Sequence, residues 1–315
     1  MQNTALTRRQ LLAISAATAA AGILPTRAIA QSQPIRIGVG SDPVFSSFYL
    51  AKHEGLFEAE KVDVTLQLYT DGGEAMNALV AGQVDVSAAS EPTTLVRLSR
   101  AELRPLSIVY QSGKYIKLVL GKDVADPKAI KKFGIVAGSV SEYCAGLTVE
   151  KFGLDASKIE FVRSGPPELP ALLARGDIDA FFAWEPWPAT AVQQGGKIAL
   201  TSVDVGYRDT MWITATAAAL ASNPDGLHAM LRALAKAATI VREDKARAAA
   251  AIKAVTRIPE ATSLKALEDM TPIVRDFTAE DFASYDNIVK FLADHKVTSA
   301  PVPYRDMLQA GFYKG

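Results

Sequence analysis

The sequence predicts an α/β protein made of two related lobes joined by a two-strand hinge. Three observations predict it. Short β-rich runs alternate with amphipathic helical stretches, a set of glycine and glutamate–proline signposts occurs twice in the same order, and two extended segments adjoin near Tyr110 to Tyr115. A chain of 315 residues, 49% hydrophobic and 22% charged, is long enough for two globular domains.

The elements follow in order. Ile35 to Gly40 reads as extended, Val44 to Glu58 as helical, Val62 to Leu68 as extended, Gly73 to Ala81 as helical and Val84 to Ala88 as extended. This is the alternation of a mostly parallel sheet with crossover helices. Arg104 to Tyr110 and Tyr115 to Leu120 are extended segments joined by Gln111-Ser112-Gly113-Lys114, which sets a lobe boundary, and a return crossing is expected around Thr210 to Thr216. Lobe one then holds residues 31–110 and about 212–315, and lobe two holds 111–211. Asp225 to Val255, Ser263 to Met270 and Ala279 to Ala293 read as helices packing back on lobe one, followed by a short tail from Pro301 to Tyr304.

The duplication is visible in residues. Gly40-Ser41 and Gly55-Leu56 recur 98 positions later as Gly138-Ser139 and Gly153-Leu154. Ala78-Leu79-Val80-Ala81-Gly82-Gln83-Val84-Asp85 resembles Ala171 to Asp179 with one inserted residue, and the two runs lead to Ser90-Glu91-Pro92 and Trp184-Glu185-Pro186. Each lobe should therefore send one strand into a Gly-Ser helix start and another into a Glu-Pro loop.

The first thirty residues differ from the rest. Thr7-Arg8-Arg9-Gln10 precedes an uncharged run from Leu11 to Leu24 and then Ala28-Ile29-Ala30, the pattern of a signal peptide of twin-arginine type cleaved after Ala30. Residues 1–30 carry Arg8, Arg9 and Arg27 and no acid, so cleavage lowers Lys+Arg from 34 to 31 against 34 Asp+Glu, a net charge near −3. That balance leaves no basic footprint for nucleic acid. The single cysteine, Cys144, cannot form an internal disulfide, and with His53, His228 and His295 far apart there is no local zinc pattern. No metal or cofactor is expected, and the mature chain is expected to be a periplasmic monomer.

Ligands of open α/β sheets bind at the carboxyl ends of strands, where helix starts present free N–H groups. Ser41 is read either as a plain N-cap or as a ligand donor. Gly138, Ser139 and Ser141 gather glycine and two hydroxyls at one such turn, and two such helix starts facing each other would make an anion clamp without an arginine. Gly73, in Thr70-Asp71-Gly72-Gly73, is a plain turn or a backbone donor. Ser90 can donate to the ligand, Glu91 and Glu185 orient ligand amines or cap backbone, and Phe45, Trp184 and Trp212 wall the cleft or pack the core.

Phe48-Tyr49-Leu50-Ala51-Lys52-His53-Glu54-Gly55-Leu56-Phe57, Ala81-Gly82-Gln83-Val84-Asp85-Val86 and Gly176-Asp177-Ile178-Asp179-Ala180 leading to Trp184-Glu185-Pro186-Trp187 resemble a known family. It is that of the periplasmic substrate-binding proteins of sulfonate, taurine and nitrate importers, related to the thiamine-pyrimidine-precursor proteins. The resemblance runs from about Ile35 to Phe312. It implies the periplasmic binding protein-like fold, capture of a small anionic solute by lobe closure, and partnership with an ABC importer permease and its ATPase. A sulfonate is the ligand it favours, with nitrate, bicarbonate or a pyrimidine precursor as alternatives. A sensory binding protein would use the same cleft. Some relatives of this fold are cysteine-dependent desulfinases, which would require Cys144 to be activated by the helix start after Gly138-Ser139.

Overall fold

The computed structural model describes residues 34–315, so the expected signal peptide lies outside the described residues. Ile35–Gly40 (β1) is apolar at nearly every position because both its faces are covered. It pairs in parallel with Val64–Tyr69 (β2) on one side and with Val86–Ser90 (β3) on the other. Between them run a 3-10 turn Pro43–Phe45, the helices Ser46–His53 (α1) and Leu56–Ala59 (α2), and the helix Gly72–Val80 (α3). The single helix expected over Val44 to Glu58 is broken because Gly55 takes a left-handed φ of 69° that ends α1.

Glu91–Leu98 (α4) follows β3 directly, and Leu103–Ser112 (β4) carries the chain out of this sheet. Lys117–Leu120 (β5) opens the second sheet, followed by Lys132–Ile135 (β6), Val140–Phe152 (α5), Glu160–Arg163 (β7), Leu169–Arg175 (α6), Ala180–Ala183 (β8), Trp187–Gln193 (α7) and Lys197–Thr201 (β9). Asp209–Thr216 (β10) then rejoins the first sheet.

The sheet orders are β11-β4-β10-β3-β1-β2 and β7-β6-β8-β5-β9. Each contains the same local arrangement. The parallel trio β2-β1-β3 is flanked by antiparallel β10, and the parallel trio β7-β6-β8 is flanked by antiparallel β5. The signposts keep their roles: Gly153 closes α5 at φ 62°, as Gly55 closes α1. Gly40 ends β1 so close to the next turn that an added Cβ would lie 2.8 Å from backbone atoms of Asp71 and Gly72.

The chain returns to the first sheet between Thr201 and Asp209, not along Thr210 to Thr216. That stretch is β10 itself, an almost wholly buried strand whose backbone pairs on both sides, with β3 and with β4. In addition, Thr271–Arg275 (β11) is a strand that the pattern did not announce, because Pro272 removes a ladder donor; it pairs only with β4, at the sheet edge.

The helices after β10 are Ala217–Ser222 (α8), Pro224–Glu243 (α9), Lys245–Thr256 (α10), Glu260–Glu268 (α11) and Ala279–Asp294 (α12). The run expected as one helix over Asp225 to Val255 divides at Asp244, which leaves helical geometry at φ −135° and caps α10 through Arg247 N at 3.0 Å. α9 buries Leu227, Met230, Leu231, Leu234 and Val241 and packs on α1 and β11, which ties the C-terminal helices to the first sheet.

Candidate functional site

Between the two sheets the carboxyl ends of their parallel strands border a cleft of about 180 Å³. The first sheet contributes Asp42 and Phe45 after β1, Gly73 after β2, and Ser90 at the end of β3. The second contributes Ala137 and Ser139 after β6 and Trp184 after β8. Tyr110 near the end of β4, Tyr115 and Ile116 in the first crossing, and Asp209 to Met211 at the start of β10 complete the lining.

Five of the expected residues, Phe45, Gly73, Ser90, Ser139 and Trp184, border this space. Their polar groups are partly committed within the protein. Ser90 Oγ lies 2.9 Å from Thr93 Oγ1, and Ser139 Oγ donates to Val136 O at 2.7 Å while accepting from Ser141 N at 3.1 Å.

The other six lie elsewhere, each for a physical reason. Ser41 Oγ donates to Tyr69 O at 2.7 Å across the β1–β2 pair. Glu91 is fully buried, accepting from Tyr207 Oη at 2.5 Å and from Thr210 N and Oγ1, both at 2.8 Å. Gly138, at φ 64°, turns its carbonyl to Arg97 and borders a separate surface hollow. Ser141 is buried with its Oγ accepting from Val136 N at 3.1 Å. Glu185 is paired at 2.7 Å with Lys117, which also meets Asp269 at 2.7 Å. Burial opposes the Lys117 charge, but the two carboxylates together hold its pKa above the usual value. Trp212 faces away from the cleft and packs on Tyr285 and Phe277, at centroid distances of 4.6 and 5.6 Å.

The residue that sequence reasoning missed is Arg97. It lies in α4, a helix buried at all eight positions because β10, α3, α5 and α12 surround it. Arg97 borders the cleft, donating from Nη1 to Gly138 O at 2.8 Å, from Nη2 to Gly73 O at 3.4 Å and from Nε to Asn77 Oδ1 at 3.2 Å. Its guanidinium forms no ion pair among the described residues, and burial lowers its pKa. An arginine thus borders the cleft, where the sequence reading needed none. The available signal was a basic residue between Val96 and Leu98 on an apolar run.

Carboxyl groups share the cleft. Asp42 accepts from Val44 N and Tyr115 Oη, both at 3.1 Å, and burial pushes its pKa up to about 7. Burial also raises Asp71, which caps α3 through Glu74 N at 2.9 Å. Asp209 is raised well above the carboxylate range by burial and by the nearby Glu91 carboxyl. Burial likewise pushes the Cys144 thiol far up, and Cys144 does not border the cleft.

Two α/β sheets of like local order, linked by paired crossings and enclosing a cleft at their strand ends, define the periplasmic binding protein fold. The chain belongs to the NMT1-like family, which matches residues 30–256. A Brucella abortus protein named "Putative binding protein" is 26% identical over 236 residues, 73% of each chain. The taurine-binding periplasmic protein of Escherichia coli is 23% identical over 180 residues, 56% of each. Among solved structures, the alkanesulfonate-binding protein SsuA from Xanthomonas axonopodis pv. citri, bound to MOPS, superposes with a TM-score of 0.78 at 18% identity, covering 89% of this chain and 99% of the other. The desulfurization enzyme DSZB has the same fold, with a TM-score of 0.69 at 14% identity over 89% of this chain and 97% of its own. Among the described residues no helix is long and apolar enough to cross a membrane.

Proposed function

We propose that this protein is the periplasmic solute-binding component of an ABC importer, exported by its N-terminal segment, and that it holds a small organic anion in the inter-sheet cleft. The observation that carries the reading is Arg97: a buried guanidinium, bonded only to neutral oxygens, stands where the two sheets meet. Asp71, its own pKa raised by burial, offsets this charge from nearby without bonding to it, and an anion in the cleft would complete the compensation. Arg97 also bonds Gly138 O beyond the crossing, so ligand capture and closure of the two sheets as lobes would be coupled through the same side chain. A sulfonate is the favoured head group, supported by the names of the taurine- and alkanesulfonate-binding relatives. Phe45 and Trp184 would cover the organic body. The role is binding, not catalysis: Cys144, the candidate nucleophile, is buried away from the cleft with its thiol held protonated.

A thermal-shift panel tests this. Sulfonates, aromatic carboxylates, nitrate, bicarbonate and aminopyrimidines are compared, since a ligand of the folded state stabilises it by RT ln(1+[L]/Kd). Organic sulfonates are expected to raise Tm most. A response confined to aminopyrimidines, or turnover of a sulfinate, would overturn the reading.

A further inference from the structure

Arg97 and Ala137 border two spaces, the cleft and a surface hollow of about 290 Å³. The hollow gathers cations from four parts of the chain: Arg97 inside α4, Arg100 just beyond it, Arg163 at the end of β7, and Lys296 after α12. Arg97 is 9% exposed and the other three are exposed. None of the four forms an ion pair among the described residues. The acid that lines the hollow, Glu142, accepts from Gly138 N at 2.7 Å through Oε2.

Like charges held together repel unless something between them carries the opposite sign. Arg100 donates its backbone N–H to Arg97 O at 2.9 Å, and its charge, after burial, lowers the Arg97 pKa further. Basic residues at helix C-termini offset the helix dipole, and that accounts for Arg100 and Lys296. It does not account for Arg163, which ends a strand, or for Arg97 within a helix. Lys296 moreover holds a left-handed φ of 57°, at a helix-ending position that glycine fills at least cost. The cations also come from both sides of the cleft, because α12 packs on α4 whereas β7 belongs to the second sheet.

We propose that this hollow is a second anion site, separate from the cleft, which takes a small polyvalent oxyanion of the phosphate or sulfate kind and bridges the two sheets through Arg100 and Lys296 on one side and Arg163 on the other. The site goes beyond the solute-binding reading and does not depend on which solute the cleft holds. A tetrahedral dianion can accept from several guanidinium N–H groups at once, while nitrate brings half the charge to the same cations.

Calorimetry at constant ionic strength, set with chloride so that general screening is the same throughout, compares phosphate, sulfate and nitrate on the wild-type protein. Phosphate and sulfate are expected to bind saturably below about 10 mM, and at least about tenfold more tightly than nitrate. The double variant Arg100→Gln, Arg163→Gln changes exposed side chains that do not border the cleft, and should weaken phosphate binding by about tenfold or more. Where that variant does not fold, Lys296→Gln serves in its place. Protein saturated with propanesulfonate should still bind phosphate. No saturable binding of either dianion, equal binding of nitrate, unchanged phosphate affinity in the variant, or displacement of phosphate by the sulfonate would overturn the second site. Failure of propanesulfonate to bind, with phosphate binding that still depends on Arg100 and Arg163, would instead overturn the sulfonate reading and leave this site standing.

Discussion

Arg97 spends its burial on contacts with carbonyl oxygens, which orient the guanidinium without neutralising it. Replacing it by methionine keeps much of its apolar stem and removes the charge. Arg97→Met should therefore weaken sulfonate binding by about tenfold or more while retaining the far-UV circular dichroism of the wild type; calorimetry reads the loss. Glu91 illustrates a different residue-level effect. Burial raises its pKa from 4.5 to about 7 despite the hydrogen bonds from Tyr207 and Thr210. Between those two values the folded protein keeps a proton that the unfolded chain has released. Its contribution to stability is thus full below the unfolded pKa and is lost as pH rises through the folded one. Thermal unfolding of wild type and Glu91→Gln across this window should show the wild type losing Tm with rising pH more steeply than the variant. Parallel curves would mean that Glu91 does not titrate there.

At the scale of elements, the site depends on how tightly turns approach one another. Gly40 lets β1 run against the Asp71-Gly72 turn, and a Cβ there would meet backbone that cannot swing aside. Gly40→Ala should cost about 1–3 kcal/mol in denaturant unfolding, the usual penalty for overpacking. The loop after β8 is fixed by another device. Lys117 on β5 holds Glu185 and also Asp269, which precedes β11, so the edge of the first sheet is tied to the second. Lys117→Met would strand a buried carboxylate and should destabilise the fold by about 3 kcal/mol, at the lower end for a broken buried pair because Asp269 is 26% exposed and can rehydrate. The elements themselves were largely readable: β1 and α12 fall within a residue of the expected bounds, because period-2 and period-3.6 patterning is written locally. The division of the long run at Asp244 was not, since it turns on one residue leaving helical geometry.

For the whole molecule, two sheets meet across a cleft and are linked by two crossings, Ser112 to Lys117 and Thr201 to Asp209. Closure of such lobes on a ligand should reduce the radius of gyration in X-ray scattering, and Arg97→Met should blunt the change because the Gly138 contact is lost. An unchanged radius at saturating sulfonate would mean that the lobes do not close. The sequence by itself determined the α/β class, the internal duplication and the strand ends at which a cleft forms, because repeated signposts and hydrophobic periods act over a few residues. Only the tertiary structure decided which side chains face that cleft. Arg97 meets Gly138 across 41 residues, Tyr115 meets Asp42 across 73, and Glu91 is withdrawn from the cleft by Tyr207 across 116. Pairings at such separations leave no local period. A polar residue looks the same in sequence whether it borders the cleft, as Asp209 does, or is bound into the hinge, as Glu91 is.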